Sequence, residues 1–290
     1  MLAHVVTVAK TARAIEERRV PTYTKVLKPG MTGTAVVGID FTEGRQVASF
    51  PELARSLPAE LAVLECQPAI VEDLADDRLR PDEYARRVVQ DVTTAGHRVR
   101  AVLARCGGAG LACRVAKEIA VNTGATPTVV LFDPDVVDAD HVHMQFERAV
   151  HAIRQGVPPE LVAATLSRGD DLARRHRGDL GDLLTELHRL YAPLVPSALA
   201  HWKIPVELGA ELIERFTVFS RYLLCASRAP VPLAHVPIHQ VLSRGRSPVP
   251  TGQEHLVTRL DADWAELLAA PETAQVTTDL VRDSQVPASP

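Results

Sequence analysis

The sequence predicts an α/β fold, a mostly parallel sheet covered by helices and interrupted by a long helical stretch. Three observations carry this. Four short apolar runs (34–39, 61–66, 99–106 and 126–133) alternate with segments of helical spacing, and such alternation builds a parallel sheet covered on both faces. The runs are nearly continuous in apolar residues, as strands buried on both faces are. Residues 140–230 then read as helix almost throughout, and strand character returns only at 236–243.

Taken in order, residues 3–19 space Val5, Val6, Ala9, Ala12 and Ile15 near the helical period. Pro21, Pro29 and Gly30 then punctuate the chain, so 1–33 is expected as an N-terminal helical extension. TAVVGI (34–39) is the first strand, ending at Asp40. The loop FTEGRQ (41–46) and a short helix in PELARSLP (51–58) follow, then the strand LAVLEC (61–66). RPDEYARRVVQDVTTAG (80–96) is a helix with Pro81 in its first turn and Tyr84, Val88 and Val92 on one face. VRAVLARC (99–106) is a third strand, running directly into the glycine-opened helix GGAGLACRVAKEIA (107–120). TPTVVLFD (126–133) is a fourth strand, closing on Asp133-Pro134-Asp135.

Segments 34–139 and 231–282 are thus expected to form the core, and 140–230 a helical lid inserted into it. After VPIHQVLS (236–243) the reading is a Pro/Gly loop, a helix over 261–270, a last strand around 274–278 and a disordered tail over 283–290.

Composition narrows the function. A formal net charge of −4 over 290 residues excludes a strongly basic nucleic-acid binder. Hydrophobic content of 46% is too high for a disordered chain, and aromatics at 4% leave the core to Leu, Val and Ala. Four cysteines without a CxxC pair read as reduced thiols. No apolar run approaches the roughly 18 residues of a membrane span. The N-terminus carries Lys10 and Arg13 where a signal peptide is apolar, so a cytoplasmic protein without nucleic-acid or membrane partners is expected. No glycine-rich phosphate loop is present.

The segment most suggestive of chemistry is Ala104-Arg105-Cys106-Gly107-Gly108. It places a nucleophile between small residues, on a turn between a strand and a helix. Such an elbow needs small flanks because the central residue sits in a strained turn. The helix N-terminus behind it supplies N–H groups and a positive dipole end, which favour a thiolate and an oxyanion. The same residues also fit a tight turn around a buried structural cysteine, and Asp133 also fits an ordinary turn before Pro134.

Taken together and in order, these segments resemble the α/β-hydrolase thioesterases that serve polyketide and nonribosomal peptide assembly lines. VVGIDFTEGRQVASFPELARSLP is similar to that family's strand, oxyanion loop and helix. AVLARCGGAGLACRVAKEIA is similar to its G-x-S-x-G elbow, VVLFDPDVV to the strand bearing the triad acid, and 140–230 to its lid. DADWAELLAAPETAQVTTDLV resembles its tryptophan-bearing segment and histidine loop.

The resemblance implies an α/β-hydrolase fold with Cys106 as nucleophile and Asp133 as triad acid. The oxyanion hole would be the N–H of Gly107 with one near Thr42. No cofactor would be bound. The partner would be an acyl or peptidyl carrier protein bearing phosphopantetheine, and the substrate a small acyl group.

Two departures stand out. Cysteine replaces serine, and in this register Leu280 stands where the family has its catalytic histidine. His255, His239 and His235 remain as candidate bases. A thiol ionises near neutral pH and tolerates loss of a base better than a hydroxyl does, so acyl transfer or cyclising release is expected over hydrolysis. A hydrolytic editing enzyme and a non-catalytic carrier-binding module are the alternatives. The run Asp138-Ala139-Asp140-His141-Val142-His143 has metal-like composition but reads as a helix start, so no metal site is expected. Arg244 and Arg246 are candidate contacts for a pantetheine phosphate or an acidic carrier.

Overall fold

The computed structural model describes residues 23–40, 47–66, 80–205, 207–229, 231, 236–250 and 256–283. The expected N-terminal helix over 3–19, Thr42, His235, His255 and the tail 284–290 lie outside the described residues.

Among the described residues, seven strands form one sheet: β1 (Thr24–Lys28), β2 (Thr34–Ile39), β3 (Ala62–Cys66), β4 (Arg98–Arg105), β5 (Thr128–Phe132), β6 (Ile238–Leu242) and β7 (Leu256–Arg259). Their spatial order is β1-β3-β2-β4-β5-β6-β7. β1 runs antiparallel to β3, and all other pairs are parallel. This is the expected α/β-hydrolase architecture. It sets β4, the strand leading to Cys106, at the centre of the sheet.

The continuous apolar runs are explained by covering on both faces. Alternate residues of β2 to β6 enter two separate cores. Val37, Leu64, Val102 and Leu131 join one with α2 (Pro81–Thr94) and α3 (Ala109–Thr123). Val36, Val63, Leu103, Val130 and Val241 join the other with Phe50 and Leu53 of α1 (Phe50–Ser56) and Val281 of α9 (Pro271–Asp283).

Between β5 and β6 the described residues form five α-helices: α4 (Ala139–Ile153), α5 (Pro159–Arg175), α6 (Leu180–Tyr191), α7 (Leu194–Trp202) and α8 (Glu207–Ser227). Their apolar faces extend the first core, with the Tyr191 and Phe216 rings 4.6 Å apart.

The C-terminal reading needs correction. Residues 274–278 are not a strand but lie within α9. The buried positions Ala274, Thr277, Thr278 and Val281 follow a helical period. Thr277 and Thr278 donate their hydroxyls to the carbonyls of Thr273 and Ala274, each at 2.7 Å, so these β-branched residues are accommodated inside a helix. Residues 261–270 are turns and a short 3₁₀ segment (Leu267–Ala269) rather than an α-helix.

Among the described residues the last strand is β7, inside what reads as a Pro/Gly loop. At the opposite edge β1 falls within the segment expected to be helical. Its exposed, lysine-bearing sequence TKVLK suits a short edge strand.

Candidate functional site

The site grows from the end of β4. Cys106 has φ 48°, the left-handed region that a non-glycine residue enters only under constraint. It opens a 3₁₀ turn (Cys106–Gly108) that leads straight into α3. Gly108 lets this turn approach its neighbours. A β-carbon there would lie 2.9 Å from the Ile39 carbonyl and 3.0 Å from the Tyr222 hydroxyl. Gly110, two residues on, would place a β-carbon 1.8 Å from the Ala229 carbonyl oxygen. The small residues are therefore steric requirements of an elbow pressed between β2 and the end of α8.

The four cysteines form no disulfide. Burial pushes the thiols of Cys66, Cys113 and Cys225 up to about 12. Cys106 differs from them in being only partly buried.

Arg105, just before the nucleophile position, is almost fully buried. It donates to the Ala48 carbonyl and, at 2.7 Å, to the Trp264 carbonyl, with its guanidinium 4.6 Å from the centre of the Trp264 ring. The Ala48 N–H in turn donates to the Ala265 carbonyl at 2.7 Å. Arg105 thus stitches the segment after β2 to the loop after β7, immediately behind the elbow.

Asp133 also has a left-handed backbone, φ 43°, and is fully buried at the end of β5. Its two oxygens accept from the Ser243 backbone N–H at 2.8 Å and the Ser243 hydroxyl at 2.6 Å. The sequence places Asp133 correctly at the strand end, but the structure pairs it with serine rather than histidine.

In this fold the triad histidine follows the acid in chain order. With β7 as the last strand, the loop that follows is Leu260-Asp261-Ala262-Asp263-Trp264-Ala265, and it contains no histidine. Leu280 therefore does not mark the histidine position. It lies in α9, one element too late. Asp261 and Asp263 of that loop pair with Arg244 at 2.8 and 3.0 Å.

His239 is on β6 in register with Val130 of β5 and, through it, with Leu103 of β4, below the strand ends. Its Nε2 bonds the Thr258 hydroxyl at 2.8 Å, on the side away from β4. Burial lowers its pKa. The structure therefore does not bring His239 to Cys106.

Sequence reading missed a different set around the elbow. The loop after β5 folds back so that the Asp135 N–H donates to the Cys106 carbonyl at 3.1 Å. The Asp135 carboxylate lies 3.3 Å from His141 Nδ1 and 3.6 Å from Arg246. Asp138 caps α4 as expected, accepting from the His141 backbone N–H at 2.8 Å. The first turn of α4 thus sets the His141 ring near Gly107. From α8, Tyr222 reaches the Gly108 turn, where burial and the nearby Asp40 hold its phenol well above the usual range and therefore protonated. The available signal was the acid-and-histidine run at 138–143, which has the composition of metal ligands. His143 of that run does gather with Glu147 and Asp170, one ligand atom from each lying within 4.8 Å of the others.

No protein-family model matches the chain, and no curated protein matches it in sequence. Solved structures do match in fold. Holo-AB3403, a four-domain nonribosomal peptide synthetase bound to AMP and glycine, aligns at TM-score 0.59 and 14% identity. That match covers 97% of this chain and 21% of the synthetase. The NocB thioesterase domain from the nocardicin cluster aligns at 0.51 and 16% identity, over 91% of this chain and 98% of that domain. Its covalent complex with a fluorophosphonate nocardicin G analog gives 0.50 and 16%, over 91% and 100%. The chain has the α/β-hydrolase fold of these thioesterase domains.

Proposed function

We propose that the chain is a thioesterase-like protein of peptide or polyketide biosynthesis, in which Cys106 takes an acyl or peptidyl group from the phosphopantetheine thioester of a carrier protein. The acyl group then passes to a thiol or amine, or closes on itself as a ring. One observation carries this reading. Cys106 is a partly buried thiol on a strained turn between the central strand and the N-terminus of α3. In that position a thiolate and the oxyanion of its adduct both benefit from the helix dipole. The Gly107 N–H is assigned to the oxyanion, with a second N–H from the loop containing Thr42. The block α4–α8 acts as the lid.

Transfer is favoured over hydrolysis on chemical grounds. Attack by a cysteine on a thioester gives another thioester at nearly the same free energy. A thiol or amine acceptor needs less activation than water does. The pairing of Asp133 with Ser243 leaves that carboxylate without the orienting task it has in a hydrolytic triad. The same pairing favours one second reading, a carrier-binding module without chemistry.

Intact-mass analysis with acyl-pantetheine and acyl-carrier thioesters separates the two. The expected result is a mass gain on the wild type that is absent from Cys106→Ala, stable in water and discharged by an added thiol or amine. No adduct across several acyl groups, with the carrier still bound, supports the module instead. Rapid discharge in water identifies a hydrolase.

A further inference from the structure

Beside the elbow stands a carboxylate–imidazole pair of two residues to which the thioesterase resemblance gives no catalytic role. His141 Nδ1 is 3.3 Å from Asp135 Oδ2, and the ring is buried. Asp135 is itself fastened to the elbow by its N–H on the Cys106 carbonyl, 3.1 Å away. The other ring nitrogen, Nε2, lies 3.7 Å from where a β-carbon on Gly107 would stand. The pair therefore comes up against the residue that follows the nucleophile, from the side of β5.

We propose that His141 is the general base for Cys106 and that Asp135 orients it, in place of the histidine that the loop after β7 lacks. This deepens the acyl-transfer reading and rests on it. Asp135 accepts from Nδ1–H, which leaves the lone pair on Nε2. Burial raises the Asp135 carboxyl. The His141 hydrogen bond and the charges of His141 and Arg246 outweigh this and hold it below the usual carboxylate range, so it is anionic at neutral pH.

The Gln145 amide stands 3.2 Å from Nε2. Turned one way it donates to the neutral ring, and turned over it accepts from the imidazolium. Among the described residues, the polar groups placed at the ring are Asp135, Gln145 and the elbow, with Asp138 on its backbone and Arg246 behind Asp135. The neighbouring side chains of α4 turn elsewhere, His143 to Asp170 of α5 and Asp140 to Arg177.

The step balances without a further reagent. Nε2 takes the thiol proton, directly or through one water. Sγ bonds to the thioester carbonyl carbon, the carbon–sulfur bond to pantetheine breaks, and the leaving sulfur takes the proton from Nε2. In the second half the acceptor thiol or amine gives its proton to Nε2 and displaces Cys106 Sγ, which receives it.

The test is the pH profile of iodoacetamide alkylation at Cys106, read by intact mass beside acylation by acyl-pantetheine. The expected wild-type profile has an inflection below the ordinary thiol range. In His141→Gln the inflection moves up to that range and labelling at pH 7 slows about tenfold or more. Asp135→Asn moves it the same way. A His141→Gln profile that overlays the wild type overturns the inference.

A second readout leaves His141 intact. In the wild type and Cys106→Ala, the titration of the His141 ring resonances must differ, and identical titrations also overturn the inference. The two proposals fail separately. A shifted profile without an acyl adduct sinks the proposed function alone. Equal acylation and equal profiles in wild type and His141→Gln sink only the role of His141.

Discussion

Asp133 and Ser243 close on each other completely: the serine N–H and hydroxyl occupy one carboxylate oxygen each, at 2.8 and 2.6 Å, with Asp133 fully buried. The bond ties the end of β5 to the end of β6, between which the whole helical block is inserted. Ser243→Ala removes one hydrogen bond to a charged group and is expected to cost about 1.5–3 kcal/mol of unfolding free energy. Acylation of Cys106 should be unchanged. Denaturant titration beside the acylation assay checks both. A loss of acylation of about a hundredfold or more would return Asp133 to the reacting groups.

Thiol reactivity should separate the cysteines sharply. With pKa near 12, Cys66, Cys113 and Cys225 hold almost no thiolate at neutral pH. Native protein at pH 7 is expected to take up one iodoacetamide, and Cys106→Ala none. Unfolded wild type should take up four, matching the cysteine content. Peptide mapping of the labelled native protein identifies the site.

Gly110→Ala should be among the most damaging small substitutions. The added carbon would stand 1.8 Å from the Ala229 carbonyl oxygen, a backbone atom that cannot move aside without displacing the end of α8. The expected cost is about 3 kcal/mol, at the upper end for overpacking. Thermal unfolding measures it.

Arg105→Lys should also destabilise, although it keeps the charge. An ammonium cannot donate to the Ala48 and Trp264 carbonyls together while stacking on the indole. About 2 kcal/mol is expected from the buried carbonyls left unsatisfied. Intrinsic tryptophan fluorescence should change with it.

Acid should weaken the fold through His239. Burial lowers its pKa, so the folded state binds its proton less readily than the unfolded chain, where it titrates near 6.5. Its contribution is therefore fully present above about pH 6.5 and is lost as pH falls toward the depressed value. Denaturation midpoints at pH 7.5 and 5.0 should differ in the wild type, and by less in His239→Gln. An equal difference in both proteins refutes the assignment.

The parallel core was legible because β2 to β5 are apolar throughout and are separated by amphipathic helices. The elbow was legible because Gly107, Gly108 and Gly110 crowd around one nucleophile at a strand-to-helix junction, where only small residues allow the backbone to turn so tightly. The C-terminal end was not. Thr277 and Thr278 suggest a strand, and only their hydrogen bonds back into α9 show otherwise. That one misplaced element moved the expected histidine to Leu280. His141 was hidden for a different reason: the proximity of its ring to Gly107 is made by the fold of the loop after β5, which no local pattern encodes.

The position of His141 on the first turn of α4 has a consequence for when the site can act. The helical block proposed as the lid also carries the proposed base. A displacement of the block large enough to admit substrate would carry the imidazole away from the thiol. The two states would then be an open one that admits and releases substrate while its thiol lacks the base, and a closed one in which the base is in place. Coupling of this kind would confine base-assisted loading of Cys106 to the closed state.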